Sequence, residues 1–186
     1  MFSYWLAKSR GKDLKNVRDG NPGASNLWRV MGWQYGAAGL FLDYLKGFMP
    51  LYFILQSGYF TGVEMAFLSA APVLGHAFSP FMKFSGGKSI AVTFGVWSAM
   101  TTWVVPTIMG GVFALFSIYR YLRKKGPAAP EEDAFRVLWG MLAVLFYIFW
   151  VADWVLLLLW ILIAGILSYT HRKEVAALEK SIPYEN

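Results

Sequence analysis

The chain has 186 residues, of which 57% are apolar and 15% charged, with no cysteine and a formal net charge of +6. That balance excludes an ordinary soluble domain, and the lack of cysteine excludes a disulfide framework or a thiolate metal site. The basic residues border hydrophobic runs instead of forming a solvated face, which points to anionic lipid headgroups and phosphorylated ligands and away from nucleic acid.

In chain order, Met1 to Ala7 (MFSYWLA) is too short an apolar run for a cleavable signal peptide. It has the composition of a helix's last turns, either a stub in the membrane interface or the end of an upstream helix. Lys8 to Arg29 is polar and basic, and inside it Gly20 to Arg29 (GNPGASNLWR) spaces Gly, Asn and Ser for turns and anion contacts. Its plainer reading is a helix-entry turn, with Ser25 or Asn26 capping the next helix.

The first membrane span is expected from Trp33 to Gln56, roughly 36 Å of helix at the usual rise. It carries Asp43 and Lys46 on one face, where ionisable groups in an apolar helix are either a neutralising pair or functional. A second span runs from Val63 to Met82, with Pro72 and Pro80 expected to bend or end helical turns. The apolar run after Lys88 is too long for one crossing and is broken near Pro106, giving helices Ser89 to Trp103 and Thr107 to Tyr121. Arg120 to Arg136 reads as a charged surface loop around GPAAP. Val137 to Tyr169 again holds two helices, with a tight turn at Asp153, and a polar tail begins at His171.

With these breaks, 16 of the 17 Lys and Arg fall in residues 8–29, 83–88, 120–136 and 172–180. Strict alternation puts all four segments on one side of the membrane, and the opposite turns near Gln56, Trp103 and Asp153 carry none. By the positive-inside rule that side is the cytoplasm. The expected fold is therefore all-α, a polytopic membrane bundle of about six helices plus the N-terminal stub.

The segment that gathers chemistry is Gly75 to Ala91, GHAFSPFMKFSGGKSIA. Gly86 and Gly87 would let successive N–H groups converge on an anion, Lys88 adds a charge, and the helix opening at Ser89 would aim its first N–H groups at the same spot. A P-loop is excluded because position 82 is Met where that motif needs Gly, which leaves an ordinary GGK turn as the alternative. With only His76 and His171, no multi-histidine metal site is available and no metal is expected. His76 at a helix end reads as structural. His171 stands beside Arg172 and Lys173, where a neutral imidazole can hydrogen-bond a hydroxyl and its neighbours attract phosphate. No GxSxG or HExxH is present, and neither histidine precedes an Asp by five positions, since Phe81 and Ala176 stand there.

Taken in order, these loops resemble the PlsY family of integral membrane acyltransferases, which move a fatty acyl group from acyl phosphate to glycerol 3-phosphate. The matching stretches are Gly11 to Gly32 (GKDLKNVRDGNPGASNLWRVMG), DYLKGFMP at Asp43 to Pro50, GHAFSPFMKFSGGKSIA, and YTHRKEV at Tyr169 to Val175. The resemblance implies one acyltransferase domain over residues 1–186, multi-pass in a bacterial inner membrane, with a cytoplasmic active site and no cofactor. It assigns Arg29 and Lys88 to the acceptor's phosphate and His171 to a glycerol hydroxyl. Gly20, Asn21, Gly23, Ser25, Asn26, Gly86 and Gly87 would shape the site or contact the acyl phosphate, and Asp19, Gly75, His76, Ser89 and Glu174 complete the expected substrate-binding set. The partners so implied are acyl phosphate, glycerol 3-phosphate or a related phospho-alcohol, and membrane lipids, with the donor phosphate taking the proton.

The chain departs from that pattern at Arg18 and Asp19, where the family usually has Gly-Ser, at Glu174 for Asn, and at Ala176 and Ala177 for Asn and Arg. The family's serine-bearing stretch is not recognisable in Arg120 to Asp133. A carboxylate about 4 Å from a phosphate charge would cost on the order of 4 kcal/mol at an effective dielectric of 20. Asp19 is therefore expected to turn away, to pair with Arg18, or to signal another acceptor. The alternative functions are a paralogue acylating a different acceptor and a non-catalytic lipid-binding protein, which would need a polar path across the membrane.

Overall fold

Apolar runs interrupted by turn residues give an all-helical chain in the computed structural model, which describes residues 1–181; the end of the expected polar tail, 182–186, lies outside the described residues. Its helices are α1 (Phe2–Lys8), α2 (Ala24–Met31), α3 (Trp33–Ser57), α4 (Gly62–Ala77), α5 (Ile90–Thr101), α6 (Val104–Leu122), α7 (Pro130–Val151), α8 (Trp154–Thr170) and α9 (Arg172–Ser181). The six apolar helices α3 to α8 match the expected count. Four segments, α3, Gly62–Met82, α6 and α7, are long and apolar enough to cross a membrane, while α5 and α8 are shorter.

The breaks have local causes. Thr102 and Trp103 both adopt left-handed backbone (φ +47° and +74°), so α6 starts at Val104 and Pro106 falls in its first turn, where a missing N–H costs nothing. Asp153 ends the long apolar run by capping α8, its Oδ1 accepting from the N–H groups of Val155 (2.8 Å) and Leu156 (3.1 Å).

Two expectations are corrected here. The loop expected over Arg120 to Arg136 is shorter, because Pro130 at the start of α7 and Glu131, Glu132 and Asp133 in its first turn suit a helix N-terminus. Asp133 and Arg136 thus stand on a helix. The stretch before Gly32 is likewise not a mere entry turn. It forms α2, with Gly23 and not Ser25 or Asn26 at its N-cap, and Gly32 (φ +86°) separates it from α3.

The main core lies between α3, α4, α5, α6, α7 and α8, where Trp97, Leu51, Met109, Ile148, Leu159 and Ile163 are fully buried. α5 packs closely against α3, α4 against α8, and α6 against α7. Gly47 and Gly95 permit the α3–α5 contact: a Cβ on Gly95 would stand 2.2 Å from the Tyr44 carbonyl oxygen. Outward faces carry exposed Phe53, Leu115, Phe146, Phe149 and Trp150, as lipid-facing helices require.

The opening stub is a short helix fastened to α3. The buried Asp43 carboxylate accepts from the N–H of Phe2 (3.1 Å), the hydroxyl of Ser3 (2.8 Å) and the ammonium of Lys46 (2.8 Å). Asp43 and Lys46 therefore form the neutralising pair, and the same carboxylate serves the free N–H groups at the start of α1.

Candidate active site

Three segments distant in sequence meet around a cavity of about 370 Å³. The first is the loop between α1 and α2. Gly20 turns it at φ +69°, and the buried Asn26 carboxamide holds it together, with Nδ2 donating to the carbonyls of Val17 (3.0 Å) and Asn21 (2.9 Å) and to Asp19 Oδ1 (2.9 Å). Asp19, Asn21, Gly23, Ser25 and Asn26 line the cavity. The side-chain oxygens of Asn21 and Asn26, Tyr44 Oη and His76 Nδ1 are buried without a partner beside it, unspent hydrogen-bonding capacity of the kind a polar ligand satisfies.

The second segment leads into α5. Gly86 and Gly87 play a different part from the one expected, because their N–H groups donate to the last carbonyls of α4, Ala77 (3.0 Å) and His76 (3.2 Å). They are not aimed at an anion. A Cβ on Gly86 would lie 2.0 Å from the His76 carbonyl oxygen, and one on Gly87 would lie 2.7 Å from His76 Nε2, so glycine is needed for close approach. The strip delivers Lys88 to the cavity. Ser89, left-handed at φ +62° with its hydroxyl donating to the Val73 carbonyl (3.0 Å), opens α5, and Ser89, Ile90 and Ala91 line the wall. The unpaired first-turn N–H groups of α5 supply the positive end of a helix there.

The third segment is the end of α8. His171 is buried, and its Nδ1 lies 2.9 Å from the Leu167 carbonyl oxygen. A carbonyl can only accept, so Nδ1 carries the proton and Nε2 keeps a lone pair. Burial, aided by the nearby Lys88 charge and opposed by the Leu167 carbonyl, Glu174 and Asp133, pushes the imidazole below its ordinary pKa and keeps it neutral at pH 7.

Charges around the cavity fall into two clusters. Lys88 is shared between Asp19 (2.6 Å) and Glu174 (2.9 Å), and Asp133 between Arg18 (2.8 Å) and Arg136 (3.0 Å). Asp19 thus neither turns away nor pairs with Arg18. Burial alone would raise its carboxyl, but hydrogen bonds from Lys88, Asn26 and the Asn21 N–H outweigh burial and hold it below the ordinary value. Glu174 takes the other flank of Lys88, with one oxygen buried and unpartnered.

Of the expected site residues, Gly20, Gly86 and Gly87 shape the segments without lining the cavity, Glu174 meets it only through Lys88, and Arg29 and Gly75 lie elsewhere. Arg29 is exposed one turn beyond Ser25 on α2 and does not line the cavity, because Asn26 and Leu27 are the residues that α2 buries. Gly75 is exposed on α4, with nothing within 4 Å of an added Cβ. Sequence reasoning missed Arg18, Asp133 and Arg136 as lining residues. A signal for the last two was the Pro130 and acidic triplet, which start a helix and set Asp133 and Arg136 one turn apart on one face. Among the described residues no cluster of three metal-ligating side chains occurs.

The family model described as glycerol-3-phosphate acyltransferase matches residues 1–181. A protein of Thermotoga maritima called glycerol-3-phosphate acyltransferase 1 is 49% identical over 152 residues, covering 81% of this chain and 75% of that one. The Fusobacterium nucleatum glycerol-3-phosphate acyltransferase is 32% identical over 94% of this chain and 84% of its own length. Among solved structures, PlsY, described as an integral membrane glycerol 3-phosphate acyltransferase, superposes with a TM-score of 0.78 at 29% identity in its glycerol 3-phosphate form, covering 96% of this chain and 84% of that one. Its lysophosphatidic acid form gives 0.77 at 27% identity over the same shares.

Proposed function

The chain belongs to the glycerol-3-phosphate acyltransferase family, and from that premise we propose that this membrane enzyme, as one domain, acylates glycerol 3-phosphate from an acyl phosphate at the cytoplasmic face of a bacterial cell membrane. The observation that carries the reading is the meeting of the Asp19 to Asn26 loop, Lys88 at the start of α5 and His171 at the end of α8 around a cavity with a polar rim and an apolar wall. The clustering of basic segments on one side by alternation supports the cytoplasmic placement.

In the proposed reaction the acceptor hydroxyl oxygen attacks the acyl carbonyl carbon, the new ester C–O bond forms, and the bond from that carbon to the phosphate oxygen breaks. Inorganic phosphate leaves with the hydroxyl proton, and the product is lysophosphatidic acid. An acyl phosphate is already activated, so the protein's part is positioning and charge compensation. His171 suits this part, because its Nε2 can accept a hydrogen bond from the acceptor hydroxyl and so orient the oxygen before the proton passes to the departing phosphate. Lys88 and the α5 N-terminus suit the acceptor's phosphate once Asp19 and Glu174 yield. Arg29 lies outside the cavity and has no contact with it to support a part in this step.

The two carboxylates on Lys88 favour one second reading, an acceptor other than glycerol 3-phosphate. The test is the purified protein in detergent, given palmitoyl phosphate or palmitoyl-CoA and a panel of phospho-alcohols. Release of phosphate and formation of lysophosphatidic acid with palmitoyl phosphate alone supports the donor. Turnover from the CoA thioester alone would sink it, and transfer to a different alcohol would favour the second reading.

A further inference from the structure

Charge is divided unevenly across the cavity. On one side Lys88 faces two carboxylates, Asp19 and Glu174, leaving one negative charge in excess. On the other, Asp133 faces two guanidinium groups, Arg18 and Arg136, leaving one positive charge in excess. An arriving phosphate is attracted first to the second side, because binding at Lys88 requires displacing carboxylates while the arginine pair has charge to spare.

The surroundings of Arg136 say which phosphate. Its guanidinium lies 5.1 Å over the ring of Phe113, whose ring packs edge-on to Phe94 at 5.7 Å. With Leu40, Ile90 and Val137 these rings form the apolar part of the cavity wall. Arg136 Nε is buried without a partner. A planar fork of donors therefore stands where the polar rim meets the apolar wall, a place that suits an anion attached to a hydrocarbon tail better than a small polar alcohol.

We propose that Arg136, assisted by Arg18, seats the phosphate of the lipid-tailed substrate, leaving Lys88 and His171 to the small acceptor. Asp133 holds both guanidinium groups in place and competes with the ligand for them. The identity of that substrate as an acyl phosphate rests on the reading above; the binding of a tailed phosphate does not.

The test uses dodecyl phosphate, which has the tail and the phosphate but no carbonyl to react, titrated into the full chain in detergent. Arg136→Gln is expected to weaken its binding about tenfold or more, and Arg136→Lys by less, as loss of a charge-assisted pair predicts. Asp133→Asn, which frees both guanidinium groups, is expected to tighten it. Glycerol 3-phosphate binding should fall by clearly less than dodecyl phosphate binding in Arg136→Gln, because Arg136 acts on the small acceptor through space and not by direct contact. Thermal unfolding checks that each variant is folded, and if Arg136→Gln is not, the Lys and Asn variants carry the test. Unchanged dodecyl phosphate affinity in the folded variants, an equal loss for neutral dodecanol, or a loss that falls on glycerol 3-phosphate instead would overturn the assignment. A wild-type protein that ignores acyl phosphate yet binds dodecyl phosphate through Arg136 would remove the donor assignment and leave this one standing.

Discussion

Lys88 Nζ lies 2.6 Å from Asp19 Oδ2, so the cation proposed for the acceptor's phosphate is already engaged by a carboxylate from the first loop. Replacing that carboxylate should ease phosphate entry. Asp19→Asn is expected to lower KM for glycerol 3-phosphate about three- to tenfold, while Lys88→Ala lowers kcat/KM by about a hundredfold or more, as loss of a charge-stabilising group does elsewhere. Steady-state kinetics on both variants decide it, and a raised KM in Asp19→Asn would mean that the carboxylate contacts the acceptor.

His171 gives the pH dependence. Burial depresses its pKa below 6.5, so the folded state disfavours the proton. The neutral ring's contribution to stability is complete above 6.5 and disappears as pH falls through the lower folded value. Transfer should follow the same direction, with an acid limb whose midpoint lies below 6.5 and which is missing in His171→Gln. A wild-type limb centred above 6.5 would contradict a buried neutral imidazole.

Gly86→Ala should be severe, since its Cβ would stand 2.0 Å from the His76 carbonyl oxygen. We expect about 2 kcal/mol or more of lost stability and loss of transfer, because the strip that carries Lys88 must move away from α4. Gly75→Ala, in open space on the same helix, should leave melting temperature and turnover unchanged. Equal behaviour of the two variants would refute the close-approach argument.

Ser3→Ala tests how α1 is held. The Ser3 hydroxyl donates to the buried Asp43 at 2.8 Å, and its removal leaves a carboxylate short of one donor. A loss of about 1–3 kcal/mol is expected, visible as earlier proteolysis between α1 and α2. Asp43→Ala should cost more, since Lys46 and the Phe2 N–H lose their acceptor as well.

The helix breaks at Trp103 and Asp153 were legible because an apolar run of about thirty residues must turn back at a polar or strained position. Lys88 and His171 could be brought together from loop order and the alternation of basic segments. Asp133 and Arg136 needed the start of α7, which Pro130 and the acidic triplet signalled but which the charged-loop reading passed over, and Arg18 could not be placed because its partner lies over a hundred residues away. The glycine pair was visible but misread: local sequence shows that Gly86 can bend, and only the fold shows that the last turn of α4 occupies the space its side chain would need.

Arg18 and Asp19 are neighbours in the chain, yet each reaches to a different wall. The left-handed backbone at Arg18 (φ +52°) divides them, and the Asn26 carboxamide fixes that division by gripping Val17, Asp19 and Asn21 together. Two opposed electrostatic jaws are thereby coupled through one peptide unit. One peptide unit therefore carries two ion pairs to separate helices, Arg18 to Asp133 of α7 and Asp19 to Lys88 ahead of α5, so the first loop ties the two together.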